Sequence, residues 1–216
     1  SFFEHNEDKK LPKVLDQLAE GLSVALISDA GTPLLSDPGF TLVRACRDEG
    51  YRVTPVPGPS APVTALSASG LPPLPYTFLG FPPRKKSQTE KLFKTHRDTG
   101  ATLVLFERKT RLKGTLSIAR EILGEREFCV ARELTKEYEE FLRGDLGQLD
   151  AFDFELRGEL TVIIAPGGDD GEADEATILQ RIAEETETGG KPKEIARRVA
   201  ERSEGWTAKA VYALMR

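Results

Sequence analysis

Two stretches of this chain share one pattern: a short apolar run, a loop of small residues and prolines, then helical spacing. In the first, a strand predicted at Ser23–Ser28 runs through Ser28-Asp29-Ala30-Gly31-Thr32-Pro33-Leu34-Leu35-Ser36-Asp37-Pro38-Gly39 into a helix near Phe40–Glu49, stopped by Gly50. In the second, Tyr51–Val56 leads through Pro57-Gly58-Pro59-Ser60-Ala61-Pro62 into a helix over Val63–Ser69. Repeated strand, loop and helix predict an α/β fold, and parallel strands joined by helical crossovers bring both loops to the same sheet edge. Ligands bind at such edges, where small residues admit them to the backbone and a helix start offers free N–H groups. Asp37 is placed to cap the following helix and Pro38 to fill its first position. An ordinary connecting loop has the same composition, so this stretch alone does not define a site.

The remaining chain extends the α/β reading. A helix is predicted from Leu11 to Glu20, and the Pro-rich Gly70–Pro75 marks a domain boundary. Strands Tyr76–Phe81, Ala101–Glu107, Arg126–Glu133 and Glu159–Ala165 follow, with a basic helix over Lys85–Arg97, a second helix over Leu112–Leu123, and a polar, partly helical connection between the last two strands. The expected organisation is an N-terminal α/β lobe over 1–75, a second α/β lobe over 76–168, an acidic linker and helix over 169–190 and a basic helical tail over 191–216. Asp169, Asp170, Glu172, Asp174, Glu175, Glu184, Glu185 and Glu187 face only Arg181 in the linker, whereas seven bases oppose three acids in the tail. Ile195, Val199, Trp206, Val211 and Leu214 give that tail the spacing of two short helices about Ser203-Glu204-Gly205, compatible with a helix-turn-helix or a packed cap.

Composition excludes several classes. No apolar run approaches the ~20 residues that span a bilayer, so no membrane role is expected. Cys46 and Cys129 are far apart, and neither they nor His5 and His96 form a metal-binding pattern, which fits a reducing cytoplasmic setting without metal. A net charge of −5 argues against uniform coating by nucleic acid but leaves room for local phosphate-binding patches. No P-loop, Gly-x-Gly-x-x-Gly or serine-elbow pattern is present.

One such patch is legible. Arg84, Lys85, Lys86, Lys91, Lys94 and Arg97 outnumber Glu90, and Arg108, Lys109, Arg111 and Lys113 follow the next strand, so the two runs form a candidate rim for a polyanion. A solvated helix face is the plainer reading of any single charge run. Further on, Ala131-Arg132-Glu133-Leu134-Thr135-Lys136 puts an acid and a lysine at a strand end, where such groups position a hydroxyl, take its proton or form a surface ion pair.

Taken in order, several motifs resemble the ribosomal RNA small subunit methyltransferase I family of the tetrapyrrole methylase superfamily. They are His5-Asn6-Glu7, Ser28–Pro33 with Asp37-Pro38-Gly39, Pro57–Ala61, Gly80-Phe81-x-Pro83-x-Lys85, Ala131–Lys136 with Glu139, and Gly158-Glu159-Leu160. The resemblance covers nearly the whole chain and implies an α/β, two-lobed tetrapyrrole-methylase-like fold with a small helical C-terminal tail. It implies S-adenosylmethionine as cofactor, in a cleft between the lobes, and methylation of a cytidine ribose 2′-hydroxyl in small-subunit (16S) ribosomal RNA. Its partners would be that RNA or the assembled 30S subunit, and the enzyme would be a cytoplasmic homodimer.

Carried onto this sequence, the cofactor residues are Asp29, Ala30, Gly31, Thr32 and Pro33, with Pro59, Ser60 and Ala61 beside them and Leu105, Phe106, Leu160 and Thr161 from the second lobe. Lys85, Glu133 and Lys136 are the candidate catalytic residues; Arg84, Lys86, Arg108 and Arg111 are the candidate RNA contacts. Two departures accompany the resemblance. The family's chains begin with a strand and a Thr-Pro-Ile-Gly-Asn-Leu loop not found here, which implies that part of the N-terminal lobe is absent from this sequence. After Phe106-Glu107 the family reads Ser-Pro-His-Arg, whereas this chain reads Arg108-Lys109-Thr110-Arg111. A tetrapyrrole C-methyltransferase of the same fold and a non-catalytic RNA-binding module are the competing readings.

Overall fold

The computed structural model describes residues 6–167, 175–203 and 205–215. Its centre is a five-stranded sheet in the order β1-β2-β5-β3-β4, formed by Tyr76–Phe78 (β1), Thr102–Arg108 (β2), Glu127–Arg132 (β3), Glu140–Asp145 (β4) and Glu159–Ile164 (β5). β1 and β2 are parallel; β5 lies antiparallel between β2 and β3, and β3 pairs antiparallel with β4. β2 is an uninterrupted apolar run because both its faces are covered, and Leu103, Val104 and Leu105 are all inaccessible to solvent. Strand alternation sends Leu103 and Leu105, with Leu160, Val162 and Ile164, into a core beneath helix α5 (Lys109–Leu123). Val104, Cys129, Ala131 and Ile163 point to the other face, against helix α3 (Ala61–Ser69).

Three further helices complete the sheet-bearing part: α1 (Glu7–Ala19), α2 (Phe40–Asp48) and α4 (Lys86–His96), the last packed beside α5. The strands expected at Ser23–Ser28 and Tyr51–Val56 do not form. Both segments are irregular, and no described strand pairs with them; Ile27 and Val56 are 86% and 84% exposed. An apolar run becomes a strand only where a neighbour takes its backbone N–H and C=O groups, and propensity cannot supply that neighbour.

The expected cap of α2 also differs. Asp37 accepts the Ser28 hydroxyl at 2.7 Å, and Gly39, with φ of 128°, occupies the capping position. Glu7 reaches across from α1 to accept the Leu42 N–H at 3.2 Å, satisfying an otherwise orphaned donor in the first turn. β4 lies within the connection expected to be polar and partly helical: its edge position leaves Glu140-Phe141-Leu142-Arg143 half polar, and a 3-10 turn, Leu146–Ala151, follows it.

The acidic and basic segments contribute α6 (Glu175–Glu187), α7 (Pro192–Glu201) and α8 (Ala208–Leu214), which share a small core of Ile178, Ile195, Ala196, Val199 and Val211. Their opposite charges meet at Glu185, which accepts Arg198 at 2.7 Å and Arg202 at 2.9 Å. The readings placed on His5, Asp169, Asp170, Glu172, Asp174, Glu204 and Arg216 fall outside the described residues. Among the described residues no helix is long and apolar enough to cross a membrane, and no group of three His, Cys, Asp or Glu could hold a metal ion.

Candidate active site

The two small-residue loops lie side by side. The Thr32 hydroxyl donates to the Pro59 carbonyl at 2.9 Å, and a β-carbon on Gly31 would meet only that same carbonyl, at 3.9 Å. The first loop is braced internally, with the Ser28 hydroxyl donating to the Ala30 carbonyl (2.8 Å) and to Asp37. Leu34 and Ser36 hold left-handed backbone angles, φ of 75° and 69°, an uncommon state for residues with side chains. The result is an exposed backbone shelf across Asp29, Ala30 and Gly31.

The shelf reaches the sheet at Gly80. A β-carbon there would come within 3.7 Å of the Ser36 hydroxyl oxygen, and the Gly80 carbonyl accepts the Phe106 N–H at 2.9 Å. Phe106 stacks edge-on with Phe78, ring centroids 4.9 Å apart, and leans on the half-exposed Phe81 at 5.4 Å. Thr161 is its register partner on β5 and shares its face. Leu105 and Leu160 are one residue out of phase: their side chains are buried on the opposite face, under α5. Their side chains therefore face away from those of Phe106 and Thr161, as the two-residue period of a strand requires, so only their backbone groups lie on the Phe106 side.

The same edge carries the acid–lysine motif. Glu133 (φ 50°) and Thr135 (φ 64°) are left-handed, and the tight turn they make sends Lys136 back over the sheet end. The Lys136 ammonium donates to Glu133 Oε1 at 3.1 Å and to Glu159 Oε2 at 2.9 Å, while Glu133 Oε1 also accepts the Glu159 N–H at 2.8 Å. That N–H and Lys136 hold the Glu133 carboxyl below the usual range; Glu159 and Glu133 push Lys136 up. Glu159 is a member of the cluster that its 23-residue separation from Lys136 concealed, although the Gly158-Glu159 motif pointed at it. Lys85 stands apart at the start of α4, exposed and without an ion pair to any described residue.

The basic rim divides into two kinds of residue. Arg111 is turned inward: its guanidinium donates to the Pro82 carbonyl (3.1 Å from each terminal nitrogen) and to the Pro83 carbonyl (2.8 Å), and lies 3.5 Å from the buried Glu107. Glu107 in turn accepts the Thr115 hydroxyl and the Arg108 N–H. Arg111 therefore buttresses the loop before α4 through both terminal nitrogens of its guanidinium. Lys86 pairs with Glu121 at 3.2 Å and Glu90 at 3.7 Å. Arg84 and Arg108 are exposed and make no ion pair to described residues. Neither cysteine is a nucleophile: both are buried, and burial pushes the Cys129 thiol up to about 11.

A sheet edge carrying a backbone shelf, an aromatic patch and a carboxylate–ammonium cluster is the setting of an α/β group-transfer enzyme. The model of the family described as Tetrapyrrole (Corrin/Porphyrin) Methylases matches residues 2–150. Solved structures of the same fold include the methyltransferase CobJ, with a TM-score of 0.58 at 19% identity, and cobalt precorrin-4 methyltransferase, with 0.53 at 18%; each alignment covers 73% of this chain and 70% of the other. Among curated proteins, the ribosomal RNA small subunit methyltransferase I of Halalkalibacterium halodurans is 41% identical over 93% of this chain and 72% of its own length. The corresponding protein of Micromonospora olivasterospora is 39% identical over 100% and 70%. That of Bacillus subtilis is 41% identical over 81% of this chain and 60% of its own. The chain belongs to the ribosomal RNA small subunit methyltransferase I family within the tetrapyrrole methylases. Methylases of this kind draw on S-adenosylmethionine as methyl donor. The shelf at Ala30 and Gly31 suits such a cofactor, because both residues are exposed and carry no side chain beyond a methyl group.

Proposed function

We propose that this protein methylates the ribose 2′-hydroxyl of a cytidine in small-subunit ribosomal RNA, as a cytoplasmic homodimer. The juxtaposition of Thr32 with Pro59 carries the reading: it joins two loops 27 residues apart into one shelf, which adjoins the Phe106 patch through Gly80. Asp29–Pro33 and Pro59–Ala61 hold the cofactor through backbone groups, and Phe106 and Thr161 close its other side. S-adenosylmethionine supplies an electrophilic methyl group on a sulfonium, whose positive charge disperses as the methyl leaves. The chain's main task is then alignment of methyl carbon and ribose oxygen, an effect worth ~7–11 kcal/mol in well-oriented systems.

Lys136 directs an ammonium donor at the acceptor and, clamped by two carboxylates, keeps its proton. Two of its three N–H groups are used within the protein, leaving the third for a ribose oxygen. Glu133 sets the position of Lys136 and takes the ribose hydroxyl proton as the methyl group is transferred, passing it on to solvent; Lys85 approaches from the α4 side. Arg84 and Arg108 meet backbone phosphates, whereas Lys86 and Arg111 serve the fold.

Tritiated S-adenosylmethionine offered with small ribosomal subunits, naked RNA and uroporphyrinogen decides the matter. Label on RNA that protects one cytidine linkage from alkaline cleavage is the expected result. Label on the tetrapyrrole alone would replace this reading with C-methylation, and RNA binding without transfer would replace it with a binding module.

A further inference from the structure

Where the chain leaves the Glu133–Lys136–Glu159 cluster it passes through Arg157 into a recess of about 350 Å³ on the α5 side of the sheet edge, bounded by Lys109, Thr110, Phe154, Glu155, Leu156 and Arg157. Lys109 and Arg157 make no ion pair to described residues, although Lys86, Arg111, Arg132, Lys136 and Arg143 are all paired. Lys113, outside the lining itself, stands 5.6 Å above the ring of the lining residue Phe154. Phe154 is itself steadied by Phe152, at 5.1 Å between centroids. Two cations, Lys109 and Arg157, thus accompany one carboxylate, Glu155, around a space at the lower end of the small-ligand range.

Resting on the RNA-methyltransferase reading, we propose that this recess is a docking subsite for single-stranded RNA, taking the ribose-phosphate step next to the modified nucleotide. Lys109 and Arg157 neutralise its phosphate, Lys113 adds to their field, and Phe154 and Leu156 carry the apolar side of the sugar. The site is two residues along the chain from Glu159, which clamps Lys136, so a strand bent round the sheet edge reaches both. Arg157 and Phe154 lie outside the basic runs evident in the sequence, and the fold alone brings them to Lys109.

The test is binding of a fluorescein-labelled single-stranded RNA to the wild-type chain and to the Lys109→Gln/Arg157→Gln double variant across a salt series. Loss of the one phosphate that Lys109 and Arg157 neutralise makes the slope of log K against log salt shallower by about 0.7, with affinity falling at least severalfold at low salt. Thermal midpoint and S-adenosylmethionine binding stay unchanged. A double variant with wild-type slope and affinity would overturn the subsite while leaving the RNA reading intact. A wild-type chain with no RNA affinity would overturn both.

Discussion

The carboxylate of Glu133 lies against the α-carbon of Gly158, so that any β-carbon at Gly158 would overlap it. The contact lets Glu133 Oε1 accept the Glu159 N–H, and it requires a glycine twice over, because Gly158 also sits at φ of 91°. Gly158→Ala is therefore expected to displace Glu133, release Lys136 and strain the backbone, lowering stability by about 1–3 kcal/mol. Denaturant titration reads the stability loss, and methyl transfer should fall further than cofactor binding does. A variant with wild-type stability and turnover would remove the contact from the working site.

The cluster also fixes a pH window. The folded-state pKa of Glu133 is lowered, so its contribution is present above the ordinary carboxylate value of about 4.3 and is lost as pH falls through the lower folded value. That of Lys136 is raised, so its contribution is present below about 10.4 and is lost as pH rises through the higher folded value. The stability difference between wild type and Lys136→Gln should be constant from about pH 5 to 10 and shrink beyond both ends. A difference that changes near neutrality would mean that another group controls the cluster.

Arg111 and Glu107 lend themselves to a double-mutant cycle. Glu107 is buried completely at its side chain, whereas Arg111 is 28% exposed, so solvent screens the pair in part. Arg111→Met removes the cation and frees the Pro82 and Pro83 carbonyls, a loss of about 2–3 kcal/mol in urea denaturation. Adding Glu107→Gln should recover part of that loss, since it removes the uncompensated buried charge. Strict additivity of the two changes would show that they are not coupled.

The strands at Ala101–Glu107, Arg126–Glu133 and Glu159–Ala165 were legible because β2, β3 and β5 are covered on both faces, and the end of α5 was legible in Gly124, features set by local chemistry. Phe106 and Thr161 share one face of the sheet whereas Leu105 and Leu160 are buried on the other, a split that the dipeptide motifs Leu105-Phe106 and Leu160-Thr161 do not carry. The inward turn of Arg111 to Pro82 and Pro83 was not legible either, because a charge run reports composition and only packing orients one guanidinium. The strand readings at Ser23–Ser28 and Tyr51–Val56 failed because a ladder depends on its neighbour. Glu159 and Arg157 needed the fold, since β5 returns to the sheet edge antiparallel after the long 133–158 excursion.

The small C-terminal core offers a test that its own chromophore reads. Trp206, the single tryptophan, packs against the Ile178, Ile195 and Val199 cluster, a core distinct from those of the sheet. Glu185 joins α6 to α7 through Arg198 and Arg202, and Arg198 above all holds its carboxyl below the usual range. Its contribution is then present above the ordinary carboxylate value and lost as pH falls through the lowered one. Glu185→Gln should weaken this helical cluster by about 1–2 kcal/mol at neutral pH, seen as an earlier Trp206 fluorescence transition in urea. The difference from wild type should close on acidification, and the far-UV signal of the sheet should move little. A Trp206 transition unchanged by the substitution would show that apolar packing alone joins the three helices.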